Sequence, residues 1–413
     1  MENIIDKIKT VNDFNFKNKV ALVRVDFNVP VDRSKSSHKI SDDTRIQYSI
    51  PTLKKIISDY GKIVLISHFG RPKGSLNRDH NSLKIIIPLL SKQLKIPIKF
   101  SDNCIGENVK KNVKMLKNKE ILLLENLRFY KEEEEGNEKF ALKLANLGDI
   151  YVNEAFSVSH RSHASISVIP KFFDQKKCIG LLMKKEIQSL NKVLGKNKKK
   201  PISILLGGSK IYSKIKIIES IIHFADNILI GGGMAYPFIK EKGGNVGNSI
   251  VIEKDENEKT KRILKNIIEK CRKKNNLFFP KDVVIADSFH NHATKKIVSI
   301  YSIPNGWMGL DIASSSIKYF CDIINESNTI FWNGPLGVFE FPNFSLGTKS
   351  IAKAIANATE RGAFSLVGGG DTISSLKIEK LEKKISYLST GGGAMLESFK
   401  NQILPGIKAM ISS

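Results

Sequence analysis

Short aliphatic runs alternate with helix-period segments along almost the whole chain, and this alternation restricts the fold more than any other feature of the sequence. Lys19–Val29, Lys62–Ile66, Glu120–Glu125 and Asp149–Phe156 read as strands; Thr44–Asp59, Ser82–Leu94 and Glu138–Leu147 read as helices between them. That is the rhythm of βαβ units, a parallel sheet with helices on both faces. Continuous Ile/Leu/Val runs, rather than alternating ones, suit strands buried on both faces. The rhythm breaks at the helix-like stretch Met183–Leu194, which leads into the polar, charged segment Gly195–Pro201. It restarts with strands expected at Ile202–Leu206, Asn227–Ile230, Asp282–Ala286, Thr329–Trp332, Phe364–Val367 and Ile385–Leu388. The break reads as a domain boundary. A chain of 413 residues also exceeds the roughly 250–300 at which one core stops growing.

Composition removes several classes of function. Hydrophobic residues make up 41 % of the chain, enough for ordinary cores. No apolar stretch of about 18 residues suggests a membrane span. The opening Met1–Asp6 has no basic segment followed by a long apolar one, so no secretory signal is expected. Cys104, Cys178, Cys271 and Cys321 lie far apart, which argues against a disulfide framework or zinc site and for a reducing cytoplasm. The net charge of +25 invites a polyanion-binding reading. Lysine dominates that charge and is scattered through every segment, which favours a solvated coat, and no nucleic-acid partner is expected.

Glycine clusters follow predicted strands in the second half: Gly207-Gly208, Gly231–Gly233, Asn333-Gly334-Pro335, Gly368–Gly370 and Gly391–Gly393. Open α/β sheets bind ligands beyond the carboxyl ends of their strands. Glycine there lets backbone approach a phosphate, and a following helix offers free N–H groups. The set therefore points to a nucleotide site. Neither a G-x-x-x-x-G-K-[ST] nor a G-x-G-x-x-G motif occurs, which excludes a Walker loop and argues against a dinucleotide-dependent dehydrogenase. Asp371 follows Gly370 and either caps a helix or holds Mg²⁺ between phosphates.

Arginines mark the strand ends of the first half. Arg24 sits within an apolar strand, where a charge costs several kcal/mol unless it is paired. An internal Arg24–Asp26 pair and a ligand-facing pair both satisfy that demand. His68-Phe69-Gly70-Arg71 follows the next strand, Arg128 follows the one after, Arg161 lies beyond Phe156, and Arg45 opens a helix. Guanidinium forks match phosphate and carboxylate oxygens two at a time. A small, strongly anionic substrate accounts for these arginines together better than solvation does.

The first-half strings are Arg24-Val-Asp-Phe-Asn-Val-Pro30, Asp43-Thr-Arg-Ile46, Ser67-His-Phe-Gly-Arg-Pro-Lys-Gly74 and Leu124-Glu-Asn-Leu-Arg-Phe129. The second-half strings include Leu206-Gly-Gly-Ser-Lys210, Gly231-Gly-Gly-Met-Ala-Tyr236, Gly306-Trp-Met-Gly-Leu-Asp311, Trp332-Asn-Gly-Pro-Leu-Gly-Val-Phe-Glu340, Gly368-Gly-Gly-Asp-Thr372 and Ser389-Thr-Gly-Gly-Gly-Ala394. In this order, over nearly the whole chain, they resemble the phosphoglycerate kinase family. The resemblance implies two Rossmann-like α/β domains with parallel sheets, joined by a helix, with a cleft between them. Residues 1–183 would bind 3-phosphoglycerate or 1,3-bisphosphoglycerate, with the tail 404–413 packed back on them. Residues 184–200 would form the interdomain helix and linker, and 201–403 the nucleotide domain.

It further implies an acid-substrate site of Arg24, Asp26, Asn28, Arg45, His68, Phe69, Gly70, Arg71, Arg128 and Arg161. Lys210, Lys214, Gly231, Gly309, Asn333, Pro335, Glu340, Gly369, Gly370, Asp371 and Thr372 would contact ADP or ATP, with Mg²⁺ on Asp371. Phosphoryl transfer would rely on Arg45, Lys210 and the backbone at Gly370 and Gly393, in a closing, cytoplasmic, monomeric enzyme with no membrane partner. Two segments depart from the family pattern. Ala313-Ser314 stands where Gly-Pro is usual, and Ser157-Val158-Ser159 where Gly-Thr-Ala is usual.

Overall fold

The computed structural model describes residues 5–33, 39–72, 78–250, 257–400 and 403–411. Lys73 and Gly74 of the 67–74 string, and Ser412 and Ser413 of the tail, lie outside them. The chain divides into two compact units, residues 1–188 with 403–413, and residues 189–402. The division falls within the helix Leu181–Leu194.

The first unit is built on six parallel strands, β1 (Val20–Arg24), β2 (Lys62–Ile66), β3 (Ile98–Ser101), β4 (Ile121–Leu124), β5 (Ile150–Asn153) and β6 (Lys177–Ile179). They lie in the order β3-β4-β2-β1-β5-β6. The β1 run ends at Arg24 rather than continuing to Val29, because the chain must leave the sheet to form the loop that follows. Strands β3 and β6 carry no strong aliphatic run and were not expected from sequence. The 82–94 helix begins as a 3₁₀ turn, Leu83–Ile86, and becomes α-helical over Ile87–Leu94, with Pro88 in its first turn, where a missing N–H costs nothing. Helix α1 (Thr44–Ser58) buries Ile46, Ser49, Thr52, Leu53 and Ile56, a set that follows the helical period, and so turns one stripe to the sheet.

The second unit repeats the plan with β7 (Ile202–Leu206), β8 (Asn227–Ile230), β9 (Leu277–Phe278), β13 (Thr329–Asn333), β14 (Phe364–Gly368) and β15 (Tyr387–Ser389), ordered β9-β8-β7-β13-β14-β15. Between β9 and β13 the chain forms a separate antiparallel sheet of β10 (Asp282–Ala286), β11 (Lys295–Ser299) and β12 (Met308–Ile312). The predicted 282–286 strand therefore exists but belongs to this smaller sheet.

Both main sheets reverse direction beside their first strand. Register sets Arg24 opposite Ile66 and Asn153, and Asn333 opposite Leu206 and Gly368. The loops after these strands leave each sheet side by side, at the point where open α/β folds place their ligands.

Two features anchor the first unit. The buried Glu154 carboxylate, just past β5, accepts from Thr52 Oγ1 and from the Leu182 and Met183 amides (3.1 and 3.2 Å) at the start of Leu181–Leu194. The returning segment 403–411 fixes the loop after β5, where the Gly406 amide donates to the Ser159 carbonyl at 2.8 Å. A Cβ on Gly406 would lie 2.7 Å from Ile166 Cγ2 and 3.0 Å from Ser159 Cα. Gly406→Ala should therefore cost about 1–3 kcal/mol of overpacking, read as a lower urea midpoint; an unchanged midpoint would show that the tail does not bear on this loop.

Burial pushes the Glu154 carboxyl up from 4.5 to about 7, against its hydrogen bonds to Thr52, Leu182 and Met183. Its folded pKa exceeds its unfolded one, so its contribution to stability is complete below pH ~4.5 and is lost as pH rises through about 7. Glu154→Gln cannot ionise. Relative to that variant, the wild type should lose on the order of 3 kcal/mol between pH 4.5 and 8. Urea unfolding at both pH values tests this, and a difference that does not vary with pH would remove Glu154 as the cause.

Candidate active site

At the carboxyl edge of the first sheet, polar groups are packed around one buried carboxylate. Asp26, in the loop after β1, accepts from Arg45 Nη1 (2.6 Å), from Ser157 Oγ and from the Asn28 amide (3.0 Å), and His68 Nδ1 lies 3.7 Å away. Burial would raise its pKa, but Arg45, His68, Ser157 and the Asn28 amide together hold it at about 2, so Asp26 is charged. His68 is buried, and desolvation outweighs the attraction of Asp26 and brings the imidazole down to about 3. It is neutral at physiological pH and acts through hydrogen bonds. Arg45 reaches this group from the first turn of α1 and also donates to the Asn28 carbonyl at 3.0 Å.

Asn28 Oδ1 accepts from the Gly70 amide (2.8 Å), and Arg128 Nη1 donates to the Gly70 carbonyl (2.6 Å), so the loops after β1, β2 and β4 are tied together. Phe69 is buried, with its amide on Asn126 Oδ1 at 3.1 Å. Arg71 and Arg161 are exposed. Burial lowers the pKa of Arg128, and the nearby Arg24 and Arg71 lower it further, while Glu134 and Asp26 act in the opposite direction. Positive charge is thus concentrated at this edge.

Arg24 has a different place. It is 1 % exposed, its Nε donates to Ser165 Oγ (2.8 Å), Nη1 to the Val25 carbonyl, and Nη2 lies 3.4 Å from His68 Nδ1. Its carboxylate neighbour is Glu133, 3.9 Å away and fully buried, rather than Asp26. Ser165 links the two by donating to Glu133 Oε1 at 2.6 Å. Nothing in the sequence singled out Glu133, because it lies in Glu132–Glu135, which reads as a solvated acidic run. Ser165 gave no signal either.

In the second unit the glycine turns after β7, β8 and β13 form one wall of an open pocket of ≈ 840 Å³. Gly208, Gly232, Gly233 and Pro335 line that wall, Gly309 and Met308 of β12 face it with Ile250 and Phe289, and Glu340 and Asp371 supply the lining carboxylates. A Cβ on Gly207 would meet the Pro335 carbonyl oxygen at 2.2 Å, and one on Gly334 would meet that of Gly207 at 2.2 Å, so only glycine lets these turns pack so closely. Gly231 packs behind the wall against Leu336. Gly309 is held by its amide, which donates to Ser249 Oγ at 3.0 Å.

Beneath the turns, Lys214 donates to the carbonyls of Gly207 (2.6 Å) and Asn333 (3.2 Å). Burial lowers its pKa to about 8, with Asp371 opposing and Lys210 adding to the shift. Asn333 Nδ2 donates to the Gly368 carbonyl at 2.8 Å, and Thr372 Oγ1 accepts from the Gly334 amide at 2.7 Å. Lys214, Asn333 and Thr372 therefore shape the turns from within. Lys210 is exposed at the start of the helix Ile211–Ile221. Gly369, at φ +97°, leads into the helix Gly370–Ile378, which carries Asp371 in its first turn, and Gly393 opens the helix Gly393–Ser398. Sequence reasoning missed Ile250 and Phe289, isolated apolar residues that only the tertiary fold turns toward the pocket.

Of the residues that depart from the family pattern, Ser157 and Ser159 make side-chain hydrogen bonds, to Asp26 and to the Ala155 carbonyl, and nothing in the structure explains Ala313-Ser314. Ala313 and Ser314 begin the helix Ser314–Asn325, whose free amides are satisfied from outside: Asp282 accepts from Ser315 N (3.1 Å) and Ser316 N (2.7 Å). Ser157 brings a hydroxyl to Asp26, and Ser159 receives the tail.

No group of three or more His, Cys, Asp or Glu among the described residues is arranged to hold a metal ion by itself. A pocket with Asp371 on its lining fits Mg²⁺ that arrives with phosphates, since Mg²⁺ is commonly held by one or two carboxylates plus phosphate oxygens.

Comparisons with known proteins agree with this arrangement. The family model for phosphoglycerate kinase matches residues 11–402. A phosphoglycerate kinase of Porphyromonas gingivalis is 44 % identical, covering 97 % of this chain and 99 % of its own length. The cytosolic phosphoglycerate kinase 3 of Arabidopsis thaliana is 43 % identical over 98 % of both. The solved structure of the Coxiella burnetii phosphoglycerate kinase superposes with a TM-score of 0.84 at 33 % identity, covering 98 % of each chain. With two parallel sheets, a charge-dense edge in one unit and a glycine-walled pocket in the other, the chain belongs to the phosphoglycerate kinase family.

Proposed function

We propose that this chain catalyses reversible transfer of a phosphoryl group, 1,3-bisphosphoglycerate + ADP = 3-phosphoglycerate + ATP. The observation that carries the reading is the edge of the first unit, where Arg45 and Arg128 lie near His68 and a charged Asp26, with Arg71 close to Arg128. Guanidinium groups there suit the phosphate and carboxylate of a small acid, and Asp26 and Asn28 suit its hydroxyl.

The second unit takes the nucleotide. Ile250, Phe289 and Met308 offer an apolar wall to the base, Glu340 accepts from ribose hydroxyls, and the glycine turns bring backbone close to the phosphates. Asp371 would hold Mg²⁺, which when bound offsets the negative charge of the phosphate oxygens. Residues 404–411 belong to the acid-binding unit through their contact with the β5 loop.

In the direction of ATP consumption, a carboxylate oxygen of 3-phosphoglycerate attacks the γ-phosphorus in line, and the bond to the bridging β–γ oxygen breaks as ADP leaves. The nucleophile is already ionised, so no general base is required. Catalysis then rests on positioning and on neutralising charge at the transferring group. Arg45, Lys210 and the amides at Gly370 and Gly393 fill that role. The reactants are held on separate units, so both must be bound at once for turnover. Four free cysteines, three of them buried, suit a reducing cytoplasm, and we infer a monomer. Among the described residues no helix is long and apolar enough to cross a membrane.

The direct test is ATP formation from 1,3-bisphosphoglycerate and MgADP with purified protein; folded protein without turnover would refute the assignment. Arg45→Ala and Lys210→Ala should each lower kcat by roughly 10²–10³-fold, as for loss of one preorganised charge-stabilising donor, with circular dichroism unchanged. A kcat within threefold of wild type would exclude that residue from the transfer step. EDTA should abolish turnover. Asp371→Asn should raise the Mg²⁺ concentration for half-maximal rate by about tenfold, equivalent to ~1.4 kcal/mol. An unchanged Mg²⁺ requirement would place the metal elsewhere.

A further inference from the structure

Asp26 has two carboxylate oxygens with unequal surroundings. Oδ2 accepts from Arg45 Nη1 at 2.6 Å and from Ser157 Oγ. Oδ1 accepts from the Asn28 amide at 3.0 Å and has His68 Nδ1 at 3.7 Å. Asn28 adjoins Asp26 in sequence, Arg45 belongs to α1 and His68 follows β2, so all three come from the stretch between β1 and the loop after β2. Ser157 is the exception: it arrives from the 3₁₀ turn Phe156–Val158 beyond β5, on the opposite side of β1. It is therefore the group that closes the ring around the carboxylate across the switch point.

Its turn is itself fixed. The Ser159 amide donates to the Phe156 carbonyl at 2.9 Å, Ser159 Oγ to the Ala155 carbonyl at 3.1 Å, and the Ser159 carbonyl accepts from Gly406. A hydroxyl delivered from so constrained a turn limits rotation of the Asp26 carboxylate about its χ2, a torsion that is otherwise broad. A carboxylate held in one plane can present a lone pair to a substrate hydroxyl in a defined direction, whereas a rotating one presents it for only part of the time.

We propose that Ser157 is a positioning residue for the acid substrate, fixing the Asp26 carboxylate for recognition of the substrate hydroxyl. This rests on the reading of the first unit as the 3-phosphoglycerate site. Arg45 has its own contacts with Asp26 and with the Asn28 carbonyl, neither of which involves Ser157. Loss of the serine hydroxyl therefore acts on affinity for the acid more than on the transfer step. The nucleotide is bound by the other unit and is indifferent to it.

The experiment is steady-state kinetics in the direction of ATP consumption for wild type, Ser157→Ala and Ser157→Thr, varying 3-phosphoglycerate and MgATP separately. Ser157→Ala should raise KM for 3-phosphoglycerate by about tenfold, the size expected for one hydrogen bond to a charged group. Its kcat and its KM for MgATP should stay within threefold of wild type. Ser157→Thr, which keeps the hydroxyl, should restore KM to within threefold. The proposal is overturned if Ser157→Ala leaves KM for the acid within threefold. It is equally overturned if kcat and both KM values deteriorate together, or if threonine behaves as alanine does. Wild-type protein that is folded but inactive would remove the functional reading and this inference with it; an active wild type with an unaffected alanine variant removes the inference alone.

Discussion

A parallel strand shares its backbone hydrogen bonds with neighbours only as far as register lasts, and beyond the last paired residue every N–H and C=O must find another partner. Here that limit falls at Arg24 in one sheet and Asn333 in the other, each at the centre of its sheet beside the reversal of strand order. The features that define both sites are answers to this demand. In the first unit, side chains from neighbouring loops serve as the partners: Ser67 Oγ accepts from the Phe27 amide, Asn28 Oδ1 from Gly70 and Asn126 Oδ1 from Phe69. In the second unit the Lys214 ammonium takes up two carbonyls and the Thr372 hydroxyl an amide. The polar groups that shape the sites are thus also those that let the strands end without orphaned backbone.

The two solutions differ in charge. Glycine turns supported from below by Lys214 leave backbone free to approach a phosphate chain, and the exposed Asp371 sits where a cation can join it. The edge of the first unit instead carries long charged side chains, chiefly arginines. Arg24 is spent on the interior: through Ser165 it neutralises Glu133, and from 3.4 Å it constrains His68. Burial pushes Glu133 up and Arg24 pulls it back, so each partner makes the other tolerable in the core.

Much of this was legible in the sequence, for identifiable reasons. Aliphatic runs such as Ile121–Leu124, and Ile202–Leu206 with only Ser203 interrupting it, are buried throughout and stand out against the polar segments around them. Strand β3, whose burial runs partial, exposed, partial and only at Ser101 buried, gave a weaker signal at the sheet edge, and two-residue β9 gave none. The strand at 282–286 was visible, but its antiparallel pairing was not, since pairing depends on a partner that periodicity does not name. Glycine clusters and arginines marked the carboxyl edges by their position after strands. What sequence could not separate was which of those residues face outward. Lys214, Asn333 and Thr372 are interior braces, and Lys210 and Asp371 are exposed, although all lie within the same motifs. Burial of a polar side chain is decided by what the loop opposite contributes, and Glu133 shows the converse, an acidic run of which one member alone is fully buried.

The crowding of positive charge suits a binding site better than a stable interior. Arg128 is depressed by burial and then by Arg24 and Arg71, so its charge is held there against its neighbours. Asp26 offsets part of that repulsion through Arg45, and the neutral state of His68 avoids adding to it. An anion bound at this edge would offset the remainder. A structure that selected solely for stability would replace these groups with apolar ones. A site kept electrostatically incomplete gains from a multiply charged ligand what it forgoes when empty, and it discriminates against ligands of lower charge by the same margin. On the proposed assignment of the first unit to a phosphorylated acid, its specificity and its cost in stability would be one property, set by the arginines gathered at the sheet edge.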